Sequence, residues 1–442
     1  MQSWLSRKQW RSLRAIRREF RARIDRFKRT GKRHVRTALL ADPEVAAAVA
    51  RHVEETGESE AVAWARVRTY VEEIVPDFNL LSYYRLGYGV ARVLVPLLYK
   101  VTVGYEARAA LDAIPRDSVV VYLMNHRSNA DYVVVAYVLS GHVALSYAVG
   151  EWARVWPLEA VFKSFGSYFV RRRYREALYH RVLELYVQLI TRNGVTQGIF
   201  LEGGLTRDGR LREPKLGLLD YLVRVKREPG FDRPFHVIPV AVNYDRVLED
   251  RSLLRELQPE GERLPRREQV REVGTYVLKV SGRFLLRRAR RYGRACVNFG
   301  APLDVDAWLA ARPGVLELPR HERLARLKEL ADEVMHRIAA VMPVTPVPLA
   351  ATALLRHPGE RITRPEWEGQ LDRLRDALRA ARAHVVGEER TSSEILDRAL
   401  VMLTLRRVVS SDGDAFRVDR GQDALLRYYA GSIAHLLETE PA

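Results

Sequence analysis

One histidine stands close to a carboxylate in an otherwise apolar stretch of the sequence. Residues 118–137 read SVVVYLMNHRSNADYVVVAY, and the polar segment inside this stretch begins at His126 and ends at Asp131. An imidazole can accept a proton near neutral pH, and a carboxylate can fix its tautomer and stabilise its cation. The pair therefore predicts general-base catalysis, although in a chain with 11 histidines a single match of this spacing also arises by chance.

A cluster of arginines follows a predicted strand further along the chain. In KSFGSYFVRRRYRE, residues 163–176, Gly166 permits close backbone approach, and the strand presents Arg171 and Arg172 in succession. Guanidinium groups match the oxygens of phosphate. The segment is consistent with a phosphate site, but taken alone it favours a solvated basic strand edge.

A glycine-rich loop follows a second predicted strand, in GIFLEGGLTRDGRLREPKLGLLDYL, residues 198–222. Paired glycines expose backbone N–H groups, and neighbouring hydroxyl and cationic groups would complete a phosphate cradle. The candidates in this loop are Gly203, Gly204, Thr206, Arg207 and Lys215. Glu202, at the end of the strand, is expected to orient an arginine or a loop N–H. An ordinary polar turn is the alternative.

The order of the elements places these segments in an α/β core. Val-rich runs alternate with helical stretches between residues 83 and 345, which predicts a mixed, largely parallel sheet flanked by helices. Residues 1–82 predict a helical N-terminal region with a basic amphipathic start. Residues 346–442, after a proline-rich segment, predict a helical C-terminal region. A hairpin around Gly413 lies between two of its helices, an order that can resemble a DNA-binding winged helix.

Composition limits the partners of the chain. Its 442 residues carry a formal charge of +18, which favours nucleic acid, anionic lipid or phosphorylated small molecules. Cys296 is the single cysteine, so an internal disulfide and a thiolate metal cluster are excluded and a reducing, cytoplasmic setting is favoured. No set of histidine and carboxylate residues has the spacing of metal ligands, so no metal is predicted.

Two segments bear on the membrane. Apolar and aromatic residues recur through residues 1–36 opposite many arginines, which predicts a helix that either lies on an anionic membrane or packs on the protein body. This segment lacks the features of a secretory signal. Tyr132–Gly150 has no charged residue over 19 positions, but Ser140 and Gly141 indicate a turn, so a buried helix-turn-strand is predicted instead of a transmembrane span.

Taken together and in this order, the segments resemble the glycerolipid acyltransferases, and more closely their glycerol-3-phosphate 1-O-acyltransferase branch. An H-x-S-x-x-D block is matched by His126, Ser128 and Asp131. The G-x-x-F-x-R-R and F-x-E-G-G blocks and a proline-bearing strand are matched by Gly166, Phe169, Arg171, Arg172, Phe200, Glu202, Gly203, Gly204 and Pro239. The resemblance spans roughly residues 40–440. One position departs from the family pattern, because Leu205 stands where the family usually has arginine.

The resemblance implies a reaction and roles for these residues. His126 would remove the proton from the sn-1 hydroxyl of glycerol 3-phosphate, which would attack the thioester of acyl-CoA or acyl carrier protein and give lysophosphatidic acid. Asp131 would hold the imidazole. Arg171, Arg172 and the loop at 202–207 would hold the phosphate, and Ser128 would be a loop or cap hydroxyl. No cofactor, metal or nucleic acid is implied.

Geometry constrains the pair. Five residues along a regular helix separate side chains by about 140°, so the two groups can meet only if His126 precedes the helix and Asp131 lies in its first turn.

The apolar segment at 151–165 is expected to line the acyl path or to be core. The basic chain is expected at the cytoplasmic face of the cell membrane, peripheral or monotopic, anchored by residues 1–36 and by GVARVLVPLLYKV, residues 89–101.

Two other functions are open at this point. The same chemistry could act on dihydroxyacetone phosphate or on a lysophospholipid, because Leu205 alters the expected phosphate contacts. A non-catalytic basic protein that binds membrane or nucleic acid is the alternative from a different class, with charge as its support.

Overall fold

A computed structural model describes residues 32–76, 88–139, 145–150, 167–171, 174, 176–255 and 293–438. Most of the predicted basic helix at residues 1–36 lies outside the described residues, and so does the segment at 151–165 that was expected to line an acyl path or to be core.

Three helices form the described N-terminal region: α1 (Lys32–Leu40), α2 (Pro43–Thr56) and α3 (Glu60–Ile74). The bounds of α2 follow from its end residues. The Asp42 carboxylate accepts the Glu44 N–H at 2.8 Å, Pro43 occupies the first turn, and Gly57 ends the helix with a φ of 70°. The helical character predicted for this region is confirmed over the part that the structure describes.

An eight-stranded sheet forms the core. Its strands are β1 (Lys100–Tyr105), β2 (Val119–Met124), β3 (Ser146–Gly150), β4 (Tyr168–Val170), β5 (Gln197–Phe200), β6 (Phe235–Tyr244), β7 (Arg294–Phe299) and β8 (Leu303–Asp304). They lie in the order β1-β7-β6-β2-β5-β3-β4, with β8 paired to β6. The strands from β6 to β4 in this order run parallel, β7 is antiparallel to β6, and β1 is parallel to β7. The predicted mixed, largely parallel sheet is confirmed.

Helices connect and cover the strands. They are α4 (Tyr88–Leu98), α5 (Arg108–Asp112), α6 (Asp131–Leu139), α7 (Ala177–Arg192), α8 (Gly217–Val223) with a 3-10 turn at Arg224–Arg227, α9 (Asp250–Arg255), α10 (Val305–Ala310) and α11 (Arg320–Ala340). Strand β2 is buried along its whole length, as expected for a strand of a parallel sheet that is covered on both faces.

The C-terminal region contains helices and a small second sheet. Its helices are α12 (Pro346–Arg356), α13 (Arg364–Ala380), α14 (Ser392–Leu405) and α15 (Asp423–Gly431), with 3-10 turns at Arg420–Gln422 and Ala434–Leu436. Strands β9 (Arg361–Thr363), β10 (Val409–Asp412) and β11 (Ala415–Val418) pair antiparallel in the order β10-β11-β9. The predicted hairpin turns at Gly413, where φ is 64°. Helix α12 packs against both α14 and α15, so the region forms one packed unit.

The helices of the described residues include none that is both long enough and apolar enough to cross a membrane. In the predicted helix-turn-strand at Tyr132–Gly150, the helix is α6 and the strand is β3, while residues 140–144 lie outside the described part. The proposed anchor at residues 89–101 forms most of α4 and the start of β1. Its role as an anchor stays a prediction.

A buried ion pair joins the helix after the glycine-rich loop to the long helix α11. Arg323 Nε lies 2.7 Å from Asp220 Oδ1, Arg323 Nη2 lies 3.3 Å from Asp220 Oδ2, and the two side chains are 6% and 1% exposed. Arg323 Nη1 also donates to the Leu318 carbonyl at 2.8 Å. The guanidinium is thus compensated at several nitrogens.

Asp220→Ala is expected to lower the free energy of unfolding by about 3–5 kcal/mol, because it leaves a buried guanidinium without its anion. Urea unfolding followed by circular dichroism measures the change. Asp332→Ala is the matched control: Asp332 pairs with Lys328 on the exposed side of α11, and its loss should cost less than about 1 kcal/mol. Equal losses in the two variants would show that the buried pair contributes no more than a surface pair.

Candidate active site

The predicted catalytic histidine lies at the carboxyl edge of the parallel strands. Strands β2, β5 and β6 are neighbours, and their carboxyl ends are Met124, Phe200 and Tyr244. Open α/β sheets commonly bind ligands outside this edge. His126 follows β2 by two residues and Glu202 follows β5 by two residues, so the first and third family blocks meet here.

His126 and Asp131 face each other. Residues 125–130 form the loop after β2, and Asp131 is the first residue of α6. His126 Nδ1 lies 2.9 Å from Asp131 Oδ2. The predicted geometry, with the histidine in the loop and the aspartate in the first helical turn, is confirmed.

The Asp131 carboxylate has no solvent exposure and is held by four hydrogen bonds. Oδ2 accepts the backbone N–H of Arg127 at 2.7 Å and of Ser128 at 3.0 Å, besides its contact with His126. Oδ1 accepts the hydroxyl of Tyr244 at 2.5 Å. The carboxylate can be buried because both oxygens are satisfied by donors.

Two aromatic rings hold the imidazole of His126 in addition to its hydrogen bond with Asp131. Its ring stacks on Phe200 with centroids 4.0 Å apart and meets Tyr132 edge-on at 5.5 Å. Because a carboxylate only accepts hydrogen bonds, Nδ1 carries the proton of the neutral ring and the lone pair lies on Nε2. Nε2 is thus the nitrogen with the chemistry of a general base.

Ser128 has the predicted role of a loop hydroxyl. Its Oγ donates to Glu249 Oε2 at 2.7 Å and accepts the Ala130 N–H at 3.0 Å. Burial, reinforced by the charge of Asp131, raises the pKa of Glu249 to about 7. The serine therefore links the loop after β2 to the start of α9.

The glycine-rich loop contacts His126 through two backbone hydrogen bonds. Glu202 Oε1 accepts the His126 N–H at 3.4 Å, and the Thr206 N–H donates to the His126 carbonyl at 3.1 Å. Glu202 thus orients a loop N–H, as predicted. Burial raises its pKa to about 8, and its Oε2 atom is buried with no hydrogen-bond partner among the described residues.

Of the other predicted residues in the loop, some shape its backbone and others lie at or near its surface. Gly203 has a φ of 67°, and a Cβ at this position would lie 2.7 Å from Lys215 Cγ. Gly204 and Arg207 are half-buried, and Lys215 is exposed. The Thr206 hydroxyl lies 2.8 Å from the Arg210 carbonyl and so closes the loop on itself. Phosphate binding by this loop stays a prediction.

The strand with the arginines is anchored to the N-terminal helices. Arg171, directly after β4, donates from Nε to Glu73 Oε1 at 2.7 Å and from Nη2 to Glu73 Oε2 at 2.5 Å. Its guanidinium also lies 4.8 Å from the ring centre of Tyr174. Arg171 is thus paired with a carboxylate in this structure, and its phosphate role stays a prediction. Gly166 and Arg172 lie outside the described residues.

The two remaining predicted positions support the sheet. Phe169 is fully buried in β4. Pro239 lies inside β6, in register with Leu123 of β2, and its carbonyl accepts the Gly300 N–H at 2.9 Å. Both contribute packing or backbone contacts in the sheet.

Sequence reasoning missed four residues near the catalytic loop: Arg127, Arg212, Tyr244 and Tyr428. The guanidinium of Arg127 is buried, donates from Nη1 to the Gly209 carbonyl and lies 5.0 Å from the ring centre of Tyr428. Tyr244 is the last residue of β6. Its position at the carboxyl end of an apolar strand was a usable signal, whereas nothing local marks Tyr428.

No group of three or more histidine, cysteine or carboxylate residues that could hold a metal ion occurs in the described ranges.

Comparison with known proteins identifies two family regions in the chain. Residues 109–243 match the acyltransferase family model, and residues 280–440 match the model described as the glycerol-3-phosphate acyltransferase C-terminal region. A solved structure, the 1-acyl-sn-glycerophosphate (LPA) acyltransferase PlsC from Thermotoga maritima, is similar at 16% identity and a TM-score of 0.32. That similarity covers 73% of this chain and 94% of the solved one.

Curated relatives are similar over most of the chain. The glycerol-3-phosphate acyltransferase of Aeromonas hydrophila is 30% identical over 409 residues, which cover 90% of this chain and 49% of the relative. The protein of the same name from Actinobacillus succinogenes is 27% identical over 406 residues, covering 88% and 48%. The chain spans about half the length of these relatives. The two domain models and these similarities confirm the resemblance seen in the motifs: the chain contains an acyltransferase region and a region similar to the C-terminal region of glycerol-3-phosphate acyltransferases.

Proposed function

We propose that the protein transfers a fatty acyl group from acyl-CoA or acyl carrier protein to the sn-1 hydroxyl of glycerol 3-phosphate. The product is lysophosphatidic acid, and the reaction is the first step of phospholipid synthesis. The observation that carries the proposal is the His126–Asp131 pair, buried and hydrogen-bonded at 2.9 Å beside the glycine-rich loop. The names of the curated relatives support the choice of acceptor.

In the proposed reaction His126 Nε2 takes the proton of the acceptor hydroxyl as the oxygen attacks the thioester carbonyl. A C–O bond forms, the C–S bond then breaks, and the departing thiolate receives the proton from the imidazolium. Asp131 stabilises the imidazolium and holds the ring in the tautomer that accepts at Nε2. Because the donor is already an activated thioester, the chain needs no acyl-enzyme intermediate, and we propose that no cofactor takes part.

Glu202 is proposed to contact the acceptor. Its Oε1 atom holds the backbone N–H of His126, and its buried Oε2 atom has no hydrogen-bond partner among the described residues. A buried oxygen without a partner is costly, so a hydroxyl of the bound acceptor would satisfy it. The substrate would then lie beside the base.

Arg212 is the cation that we propose for the acceptor's phosphate. It is half-buried, its Nη1 donates to the carbonyl of Leu205 at 3.3 Å, and it makes no ion pair with any residue that the structure describes. Its charge also acts on Glu202, which holds the catalytic histidine. Arg212 therefore brings a positive charge to the position where Leu205 replaces the usual arginine. Arg171, Arg172, Thr206, Arg207 and Lys215 remain proposed contributors.

Peripheral attachment to the cytoplasmic face of the membrane is also proposed. Residues 1–36 combine an apolar stripe with many arginines, and the whole chain carries a charge of +18. Both features favour an anionic lipid surface, where the acylated product would be delivered. We propose no nucleic-acid partner.

Replacement of the catalytic pair tests the reaction. His126→Ala should lower kcat by about 10²–10⁴ in an assay of labelled glycerol 3-phosphate with acyl-CoA and acyl carrier protein donors, because the hydroxyl loses its base. Asp131→Asn should fall within the same range. His236→Ala, half-buried near the start of β6, is the matched control and should retain full activity. An equally active, folded His126→Ala protein would refute the role of the base. Turnover of dihydroxyacetone phosphate or a lysophospholipid, without turnover of glycerol 3-phosphate, would show that one of those compounds is the acceptor.

Arg212→Leu should raise the KM for glycerol 3-phosphate by about 10-fold or more and leave the KM of the acyl donor nearly unchanged, because a charge-assisted hydrogen bond to phosphate is lost. Steady-state kinetics with each substrate varied in turn measure both constants. Arg210→Leu is the control from the same loop, since Arg210 is exposed and already paired with Glu438 at 2.8 Å. Equal effects on both substrates would exclude Arg212 from phosphate binding.

Removal of residues 1–31 should weaken binding to anionic phosphatidylglycerol vesicles at low salt, since each lysine or arginine near such a surface contributes about 1 kcal/mol. Vesicle co-sedimentation measures the bound fraction. Phosphatidylcholine vesicles and high salt are the controls, and both should reduce the difference between the two proteins. Unchanged binding of the shortened protein to anionic vesicles would assign this segment to the protein body.

A further inference from the structure

We propose that Tyr244 is a positioning residue of the active site, which sets the proton affinity of the His126–Asp131 pair through its hydrogen bond to Asp131. The inference rests on the proposed function for its kinetic test, and it concerns the last residue of β6, the strand that carries Pro239. The observation behind it is that Asp131 is bonded from two sides by different parts of the fold.

The two oxygens of Asp131 have separate donors. Oδ2 receives the imidazole and the backbone N–H groups of Arg127 and Ser128, all from the loop that carries the histidine. Among the described residues, Oδ1 receives a hydrogen bond only from Tyr244, at 2.5 Å. Without this bond the loop would fix one oxygen, and the other would be buried without a partner.

Tyr244 itself is held firmly. It is the last residue of β6, which lies between β2 and β7, and its backbone N–H donates to Asn243 Oδ1 at 2.9 Å. Its ring is fully buried and lies 5.3 Å from the ring of Tyr99. Burial and the charge of Asp131 raise the pKa of Tyr244 well above its usual value, so the phenol keeps its proton and donates to the carboxylate.

The sign of the effect follows from treating the histidine and the aspartate as one titrating pair. The active form of the pair carries one negative charge, and the form that has gained a proton is neutral overall. A hydrogen bond to Asp131 stabilises the negative form more than the neutral form. Removal of that bond therefore raises the apparent pKa of the pair, whichever partner holds the added proton.

Other charged and titratable groups face the pair from several elements. They are Arg127 on the same loop, Tyr132 on α6, Glu202 and Arg212 on the glycine-rich loop, Glu249 at the start of α9, and Tyr428 on α15. Burial raises the pKa of Glu202 to about 8 and that of Glu249 to about 7. None of these residues is replaced in Tyr244→Phe, so the two proteins differ by one hydroxyl.

Tyr244→Phe removes the hydroxyl and keeps the ring. The acid limb of the kcat/KM profile should move up by about one pH unit, so kcat/KM falls about 10-fold on the acid side and approaches the wild-type value well above the limb. Tyr99→Phe is the matched control, because it removes a buried hydroxyl from the neighbouring ring, one that donates to the Arg246 carbonyl at 2.9 Å. Its acid limb should not move. An unshifted limb in Tyr244→Phe, with a rate loss that is the same at every pH, would reduce Tyr244 to a packing residue.

A spectroscopic titration separates this inference from the proposed activity. The ¹⁵N shifts of the His126 ring, assigned by their absence in His126→Ala, should titrate at higher pH in Tyr244→Phe than in wild type. This holds whether or not glycerol 3-phosphate is the acceptor. Site-specific replacement of Tyr244 by 3-fluorotyrosine keeps the core filled and makes the phenol a stronger donor, so it should shift the titration to lower pH. Identical titrations in wild type and in the fluorotyrosine protein would overturn the inference even if Tyr244→Phe failed to fold.

Discussion

The burial of Asp131 is the constraint on which the rest of the site depends. A carboxylate without solvent exposure must be compensated by donors, and the donors come from two places: the loop after β2, through two backbone N–H groups and the His126 imidazole, and the end of β6. The loop must therefore bend so that two consecutive N–H groups point at one oxygen. Strand β6 must also extend as far as Tyr244. The shape of the loop after β2 is thus set by the need to give the buried Asp131 carboxylate its hydrogen-bond donors.

The C-terminal region stabilises the same loop from the opposite direction. The Arg127 guanidinium lies 5.0 Å from the ring centre of Tyr428, and the Tyr428 hydroxyl donates to the Arg127 carbonyl at 3.4 Å. The glycine-rich loop and α15 approach each other so closely that a Cβ on Gly209 would lie 1.8 Å from the Tyr428 carbonyl oxygen. Helix α15 therefore belongs to the framework of the site. The order of helix, hairpin and helix that can resemble a winged helix is thus part of a region that packs on the candidate site.

Local sequence patterns predicted much of the fold and the His126–Asp131 pair, because strands, helices and this pair are determined by residues close together in the sequence. Apolar runs located β2, β5 and β6. Helix geometry placed His126 in the loop before a helix and Asp131 in its first turn. Strand direction is not encoded in a short apolar run, so the antiparallel β7 was not foreseen. Contacts between distant parts of the chain were likewise invisible. The pairing of Arg171 with Glu73 spans 98 residues, and that of Tyr244 with Asp131 spans 113.

The total charge of the chain is a poor guide to its phosphate site. Two cations near the sheet edge are paired with carboxylates within the fold: Arg171 with Glu73, and Arg210 with Glu438. The carboxylate offsets the charge of the guanidinium, which weakens its attraction for an incoming phosphate. Recognition of an anionic acceptor should therefore depend on a cation that the described fold leaves without a carboxylate, and Arg212 meets this condition beside Glu202. On the proposed role of Arg212, the absence of an arginine at Leu205 would not imply a weaker phosphate site, because the charge would come from seven residues further along the same loop.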